Sequence, residues 1–121
     1  MTWRMVAAAG LVFVCGLASG EASAQSPKTI SGIAAYYSKD YQGTTASGEL
    51  YDPNKFTAAH PTLPFGTRVL VTDPRTHRSV VVTVNDRGPF NNGRIIDLSM
   101  AAAKELHMLG RGLIRVTAAV Q

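Results

Sequence analysis

Residues 79–90 read SVVVTVNDRGPF, a β-branched run that passes directly into a polar loop. Every residue from 80 to 84 is valine or threonine, and such residues favour strands. A continuous apolar run of this length predicts a strand that is buried on both faces, as in a closed barrel. The fold is therefore expected to be mainly β, with Asp86 at the end of a core strand.

Other segments have the composition of strands and are bounded by residues that form turns. They are residues 30–37, 68–72 and 113–120. The DPRT sequence at 73–76 predicts a hairpin loop between two of the strands. With 121 residues in all, the chain has room for one small domain.

One helix is predicted, at residues 100–109. Ser99 can cap its first amide groups, the alanine-rich sequence has good helix propensity, and Gly110 ends it. Ala103 and Leu106 are three residues apart, so they share one face of this helix.

The start of the chain has the pattern of a signal peptide. Arg4 belongs to a short basic head, and the apolar run at 5–18 is shorter than the ~20 residues that a membrane-spanning helix needs. The ASA sequence at 22–24 supplies a cleavage site of small residues. The chain is accordingly divided into a signal peptide, a short leader and one barrel domain, at residues 1–24, 25–29 and 30–121.

Cys15 is the only cysteine and lies within this apolar run. It is either an inert residue of the signal or the lipidated first residue of a lipoprotein. A lipoprotein signal needs a small residue before its cysteine, and Val14 is bulky, so we favour the first interpretation. The expected location is periplasmic or secreted, with an outer-membrane lipoprotein as the alternative. Membrane association is expected only if Cys15 carries lipid.

The formal net charge is +4, from 12 basic and 8 acidic residues. The basic residues are scattered, and no basic helix with flanking aromatic residues appears, so a nucleic-acid partner is not expected. Beyond the inner membrane, the peptide stems of cell-wall strands carry carboxylates. A mildly cationic protein would be held near such strands.

Two glycine-containing loops carry most of the polar residues that could act chemically, at 44–51 and 85–90. Asp86 in the second loop directly follows the buried strand. A carboxyl at a barrel rim is partly desolvated, which favours its protonated form and allows it to act as an acid. Taken alone, an aspartate in such a loop is also a common turn residue.

These loops belong to a set of motifs found in one known family. The chain resembles the RlpA (rare lipoprotein A) family of double-psi β-barrels, and the motifs follow that family's order. They are TASGE at 45–49, TAAH at 57–60, LPFGT at 63–67, VNDRGPF at 84–90 and GRIIDLS at 93–99. The resemblance implies a six-stranded double-psi β-barrel with one short α-helix, exported to the envelope, that acts as an endolytic lytic transglycosylase on peptidoglycan.

The resemblance also implies which residues act. The catalytic pair corresponds to Asp86 and Glu49, and His60 corresponds to a neighbouring histidine that could orient Asp86 by a hydrogen bond. Residues expected to contact the substrate are Ser47, Tyr51, Asn85, Arg87 and Phe90. Asp97 is interpreted as structural, bonded to amides or to Arg94.

No cofactor is expected. A metal site built from His60, Glu49 and Asp86 is not favoured, because the three ligands lack close spacing. The protein is expected to be a monomer. The chain stops at Gln121, directly after the barrel and without a SPOR domain, so septal targeting is not expected.

Glycosidic cleavage needs a proton at the leaving oxygen while positive charge builds at the anomeric carbon. In a lytic transglycosylase the substrate's own 6-hydroxyl attacks that carbon and gives a 1,6-anhydro end, so Asp86 could serve as acid and then as base. An inverting hydrolase would instead need two carboxyls, here Glu49 and Asp86, roughly 6.5–9.5 Å apart with water between them. A non-catalytic glycan-binding barrel is the third possibility, because a fold alone does not fix a reaction.

Overall fold

The computed structural model describes residues 28–91 and 93–121. The signal peptide predicted at residues 1–24, with Cys15 inside it, lies outside this part of the chain. The described residues form six strands and one short helix. Their bounds are β1 Thr29–Tyr36, β2 Thr57–Ala59, β3 Arg68–Asp73, β4 Arg78–Asp86, β5 Arg94–Leu98, α1 Met100–Glu105 and β6 Ile114–Val120.

The strands close into a barrel in the order β1-β5-β2-β4-β3-β6, with β6 next to β1. The pairs β1–β5 and β2–β4 are parallel, and the other neighbouring strands are antiparallel. The Val120 amide donates a hydrogen bond to the Lys28 carbonyl at 3.1 Å, so the first and last residues of the barrel domain lie side by side. The prediction of a mainly β, six-stranded barrel with one short helix is confirmed.

Alternate residues of each strand fill the barrel interior. In β4, Val80, Val82 and Val84 are buried, whereas Val81 and Thr83 between them are partly exposed. The prediction that this strand is buried on both faces is therefore wrong. The inner face packs against the other strands, while the outer face of a closed barrel is covered only where loops or the helix lie on it.

Helix α1 ends at Glu105, earlier than the sequence predicts. Ser99 caps it as expected, because its Oγ accepts a hydrogen bond from an amide of the first turn at 3.3 Å. The chain then leaves the helix and buries Leu106 and Met108 completely. Residues two apart do not share a helix face, so a continued helix would prevent both side chains from reaching the core.

A buried aspartate fixes the hairpin between β3 and β4. Asp73 Oδ1 accepts from the Arg75 amide at 2.9 Å, and Oδ2 forms an ion pair with Arg111 at 3.0 Å. Burial by itself raises the pKa of this carboxyl, but the Arg75 amide and the Arg111 guanidinium outweigh burial and lower it. Because the folded pKa is depressed, this stabilisation is complete above the unfolded pKa and is lost as the pH falls through the folded pKa.

We expect Asp73→Asn to lower the free energy of unfolding by about 1–3 kcal/mol at pH 7, because it removes the charge opposite Arg111. The difference from the wild type should shrink below about pH 4, the ordinary range of an aspartate. Urea unfolding at neutral and acidic pH measures both values. Asp40→Asn, at an exposed position, is the matched control. Equal losses in the two variants would contradict the assignment.

Candidate active site

Asp86 is the last residue of β4, and both of its carboxyl oxygens are held. Oδ1 accepts from the amides of Ala46 at 2.8 Å and Arg87 at 2.9 Å. Oδ2 accepts from the Tyr37 hydroxyl at 2.5 Å. Since Ala46 lies in the loop at 44–51, the carboxyl ties together the two polar loops. The Asp86 side chain is thus fixed at the barrel rim while the residue stays partly exposed.

Tyr37, directly after β1, is a site residue that the sequence did not identify as a partner of Asp86. Its ring stacks on Tyr51 with centroids 4.5 Å apart, and Tyr41 packs edge-on against both rings. Burial, followed by the hydrogen bond to Asp86 and the charge of that residue, raises the pKa of Tyr37 far above its ordinary value. The phenol therefore keeps its proton and remains a donor to Asp86.

Tyr51 is mostly buried, with 9% of the residue exposed, and it lines the same cleft as Glu49. Its hydroxyl accepts from the Met100 amide at 3.0 Å, and its ring supports Tyr37. Tyr51 therefore links α1 to the tyrosine that holds Asp86.

Glu49 lies beside Asn85 rather than against Asp86. Its Oε1 accepts from Asn85 Nδ2 at 3.2 Å and from the Ser47 hydroxyl at 3.4 Å. Glu49 and Asn85 line a cleft of about 460 Å³, and Asp86 is not part of its wall. Among the described residues, Glu49 and Asp86, the expected catalytic pair, share no hydrogen bond. They are connected only indirectly, through Asn85 and the loop that contains Ser47.

His60 directly follows β2 and contacts Asp86 through the backbone, where His60 N donates to Asp86 O at 3.2 Å. The imidazole has other partners, because Nδ1 accepts from the amides of Thr62 and Leu63, both at 3.1 Å. Burial, and then the charge of Arg87, lowers the pKa of His60, so the ring is neutral at pH 7. The hydrogen bond to the Asp86 carboxyl that was expected from this ring comes instead from a phenol.

Two exposed aromatic rings belong to the family motifs, Phe65 in contact with Arg87 and Phe90 four residues after Asp86. The Arg87 guanidinium lies 4.1 Å from the centre of the Phe65 ring, and its Nη1 donates to the His60 carbonyl at 3.1 Å. Phe90 is 78% exposed and Phe65 is 43% exposed. Phe90 offers a ring face on which a sugar could stack, whereas one face of Phe65 is covered by Arg87.

Asp97 in β5 carries a further carboxyl near the site. Arg94 Nη2 contacts Asp97 Oδ2 at 3.4 Å, in line with the structural interpretation of this residue. Burial raises the pKa of Asp97, Arg94 opposes that shift, and the charge of Asp86 adds to it, so the net direction is upward.

Other features of the described residues lie away from this chemistry. A cavity of about 570 Å³ beside Asp73 and Arg111 contains no residue of the five motifs. Within residues 28–91 and 93–121, no three His, Cys, Asp or Glu side chains converge as a metal ion would require. The one helix found there is too short to cross a membrane.

Comparison with known proteins identifies the domain. Residues 29–118 match the lytic transglycolase family. The chain belongs to this family. Among the curated relatives of this lytic transglycolase barrel, the endolytic peptidoglycan transglycosylase RlpA of Pasteurella multocida is 55% identical over 83 residues, which are 68% of this chain and 28% of that protein. RlpA of Haemophilus influenzae is 50% identical over 86 residues, 70% of this chain and 30% of that protein.

The resemblance to RlpA is therefore confirmed, although the chain spans less than a third of the length of these two relatives. Solved structures agree on the barrel. The Streptomyces papain inhibitor superposes on the lytic transglycolase domain with a TM-score of 0.63 at 28% identity, covering 77% of this chain and 94% of the inhibitor. The Clavibacter michiganensis expansin gives 0.61 at 24% identity, covering 78% of this chain and 50% of the expansin, and shows the fold alone.

Proposed function

We propose that this protein is an endolytic lytic transglycosylase that cleaves peptidoglycan strands and leaves 1,6-anhydro-muramic ends. The observation that carries the proposal is the Asp86 carboxyl, fixed at the barrel rim by three hydrogen-bond donors within the region that matches the lytic transglycolase family. Relatives at 55% and 50% identity carry the name of this activity.

Asp86 is the group that exchanges a proton with the substrate. In a cycle with one carboxyl, it gives a proton to the glycosidic oxygen as the bond from that oxygen to the anomeric carbon breaks. The 6-hydroxyl oxygen then bonds to the anomeric carbon, and the hydroxyl proton returns to Asp86. The Tyr37 hydroxyl and the two backbone amides keep the carboxyl in one orientation for both transfers.

The remaining residues position the strand. Glu49 would bind substrate hydroxyls in the adjoining cleft, and its hydrogen bonds with Asn85 and Ser47 support this role. Phe90 offers a stacking face, and Arg87 a cation for a substrate carboxylate. The side chain of His60 shapes the backbone beside the site through its two amide contacts.

Digestion of purified sacculi, followed by mass spectrometry of the soluble fragments, tests the proposal. Anhydro-muramic ends support it. Reducing ends would indicate a hydrolase that uses Glu49 as a second carboxyl, and would overturn it. Sacculus binding by the folded protein without any released fragment would also overturn it, in favour of a glycan-binding barrel.

Tyr37→Phe removes one donor of Asp86 and leaves the stacked ring in place. We expect the rate of anhydro-end release to fall about 10-fold, because a hydrogen bond to a charged group is worth about 1.5–3 kcal/mol. Release rates at a fixed sacculus concentration measure the effect, with Tyr36→Phe as the neighbouring control. A rate equal to that of the control would show that the phenol does not orient the carboxyl.

We also propose that residues 1–24 are a signal peptide and that the mature protein works in the periplasm or outside the cell. The apolar run with its ASA site and the cell-wall activity named for the relatives support this location. Mass measurement of the mature protein from its native host tests it. A chain that begins at Cys15 and carries lipid would contradict it.

A further inference from the structure

A cavity outside the active site is lined by three arginines. Arg75 belongs to the β3–β4 hairpin, Arg111 to the loop between α1 and β6, and Arg115 to the start of β6. Strands β3 and β6 are antiparallel neighbours, so the hairpin and that loop meet at one edge of the barrel. The cavity has a volume of about 570 Å³, which is enough to hold a small ligand.

A buried carboxylate holds one of these arginines in place. Asp73 is 1% exposed, and its Oδ2 accepts from Arg111 Nη1 at 3.0 Å. A guanidinium has five N–H donors, and among the described residues this is the one hydrogen bond that the Arg111 side chain makes. Arg111 is therefore oriented before a ligand arrives and keeps donors for it, which lowers the entropic cost of binding.

The cavity carries more positive than negative charge. Asp73 is the one acid among the described residues of its wall, and it balances Arg111. Within residues 28–91 and 93–121, Arg75 and Arg115 are exposed and form no ion pair. Two positive charges are thus left, and an anion of charge −2 would balance them. A phosphate monoester carries about −1.5 to −2 at pH 7, whereas a carboxylate or a phosphate diester carries one charge.

We propose that this cavity is a binding site for a phosphate monoester. Arginine suits such a ligand, because its planar guanidinium forms paired hydrogen bonds with phosphate oxygens and always stays charged. Arg111 supplies the fixed donors, and Arg75 and Arg115 supply the charge that Asp73 does not balance. The site is independent of the proposed glycan cleavage, so either can fail without the other.

The cavity lies at the opposite end of β4 from the active site. Asp73 pairs with Arg78, the first residue of β4, whereas Asp86 is the last. At about 3.3 Å per residue, the ends of this nine-residue strand are roughly 25 Å apart along the strand. A phosphate bound in the cavity therefore leaves the Asp86 carboxyl free for substrate.

The phosphate could belong to a lipid headgroup or to a soluble ester. Leu113 lines the cavity and is 59% exposed, and Leu109 in the same loop is 39% exposed. A surface that combines arginines with exposed leucines is typical of proteins that bind anionic lipid. The lipid source is therefore favoured. It would give the domain a membrane contact that does not depend on lipid at Cys15.

NMR titration of the purified protein with inorganic phosphate tests the site itself. We expect Arg75→Gln and Arg115→Gln each to weaken phosphate binding about 10-fold, because each removes a charged donor. The melting temperature should stay at the wild-type value, since neither side chain has an ion pair in the described part of the chain. Arg68→Gln, at an exposed position outside the cavity wall, is the matched control.

Three results of this titration would overturn the inference. They are no phosphate binding by the wild type, equal losses in Arg68→Gln and the cavity variants, and acetate binding as tight as phosphate binding. A fall in sacculus binding as large as the fall in phosphate binding would also overturn it, because the arginines would then serve the carboxylates of peptide stems.

Vesicle sedimentation distinguishes the two sources of phosphate. We expect the protein to sediment with phosphatidylcholine vesicles that contain phosphatidic acid, a lipid monoester, and less with those that contain phosphatidylglycerol, a diester. Arg75→Gln should weaken the binding about 5-fold, and Leu113→Ala should weaken it while leaving the binding of inorganic phosphate unchanged. Binding of inorganic phosphate without vesicle binding would support the site and assign it to a soluble ester. Vesicle binding that Arg75→Gln and Arg115→Gln leave intact would overturn the inference.

Release of anhydro ends from sacculi separates this site from the proposed function. Arg75→Gln and Arg115→Gln should release them at the wild-type rate, because neither residue contacts Asp86 or lines the cleft of Glu49. A wild-type protein that released no anhydro ends would contradict the proposed function, while the phosphate titration would still decide whether the cavity is a binding site.

Discussion

Asp86→Asn is expected to lower the release of anhydro-muramic ends by about 100-fold or more, because general acid–base catalysis contributes 10²–10⁴-fold. Asparagine can keep its oxygen toward the Ala46 and Arg87 amides, which both donate to Asp86 Oδ1, and turn its NH₂ group toward the Tyr37 hydroxyl oxygen, so the two polar loops should remain joined. What it loses is the carboxylate that takes the proton of the 6-hydroxyl. The loss should therefore appear in kcat, with sacculus binding retained.

The measurement compares wild type, Asp86→Asn and Asp52→Asn on the same sacculi, with a pelleting assay for binding. Asp52 lies in the wall of the adjoining cleft, so it controls for a change of charge near the substrate. Circular dichroism checks that each variant is folded. A folded Asp86→Asn protein that still releases anhydro ends at the wild-type rate would remove Asp86 from the mechanism.

A large effect on stability is expected at Leu106, the residue that follows α1. Its side chain is completely buried in the core cluster. Leu106→Ala should lower the free energy of unfolding by about 2–5 kcal/mol, through lost burial and the cavity left behind. For a domain of this size such a loss lowers the melting temperature by roughly 10 °C or more.

Leu113→Ala is the matched control, because the same atoms are removed from a side chain that is 59% exposed. It should change the free energy of unfolding by less than about 0.5 kcal/mol. Urea unfolding of both variants with a common slope gives the comparison. Similar losses at the two positions would mean that Leu106 is not packed as the structure shows.

The sequence predicts well those elements and caps that depend on residues close together in the chain. The valine run of β4 and its polar continuation identify a core strand and place Asp86 at its end, and Ser99 is recognisable as a helix cap. Four strands follow from composition alone. The other two, β2 and β5, do not, because β2 is only three residues long and the five residues of β5 include the charged Arg94 and Asp97. The prediction of a six-stranded barrel rested on the resemblance of the motifs to those of the RlpA family.

The missed parts of the site depend on contacts between residues far apart in the chain. Tyr37 donates a hydrogen bond to Asp86, although the two residues are 49 positions apart in the sequence. Similarly, only the register of β2 between β4 and β5 shows that Asp86 and Asp97 both pair with Ala59. The early end of α1 has the same kind of cause, since it depends on where Met108 must be buried.

The hydrogen bond between Val120 and Lys28 has a consequence for protein architecture. Because the first and last strands are neighbours, the polypeptide enters and leaves the domain at one point on its surface. Such a unit can be spliced into a host loop, or its ends can be fused and reopened by circular permutation, with little disturbance to either structure. The barrel is therefore suited to insertion into other proteins as a complete domain.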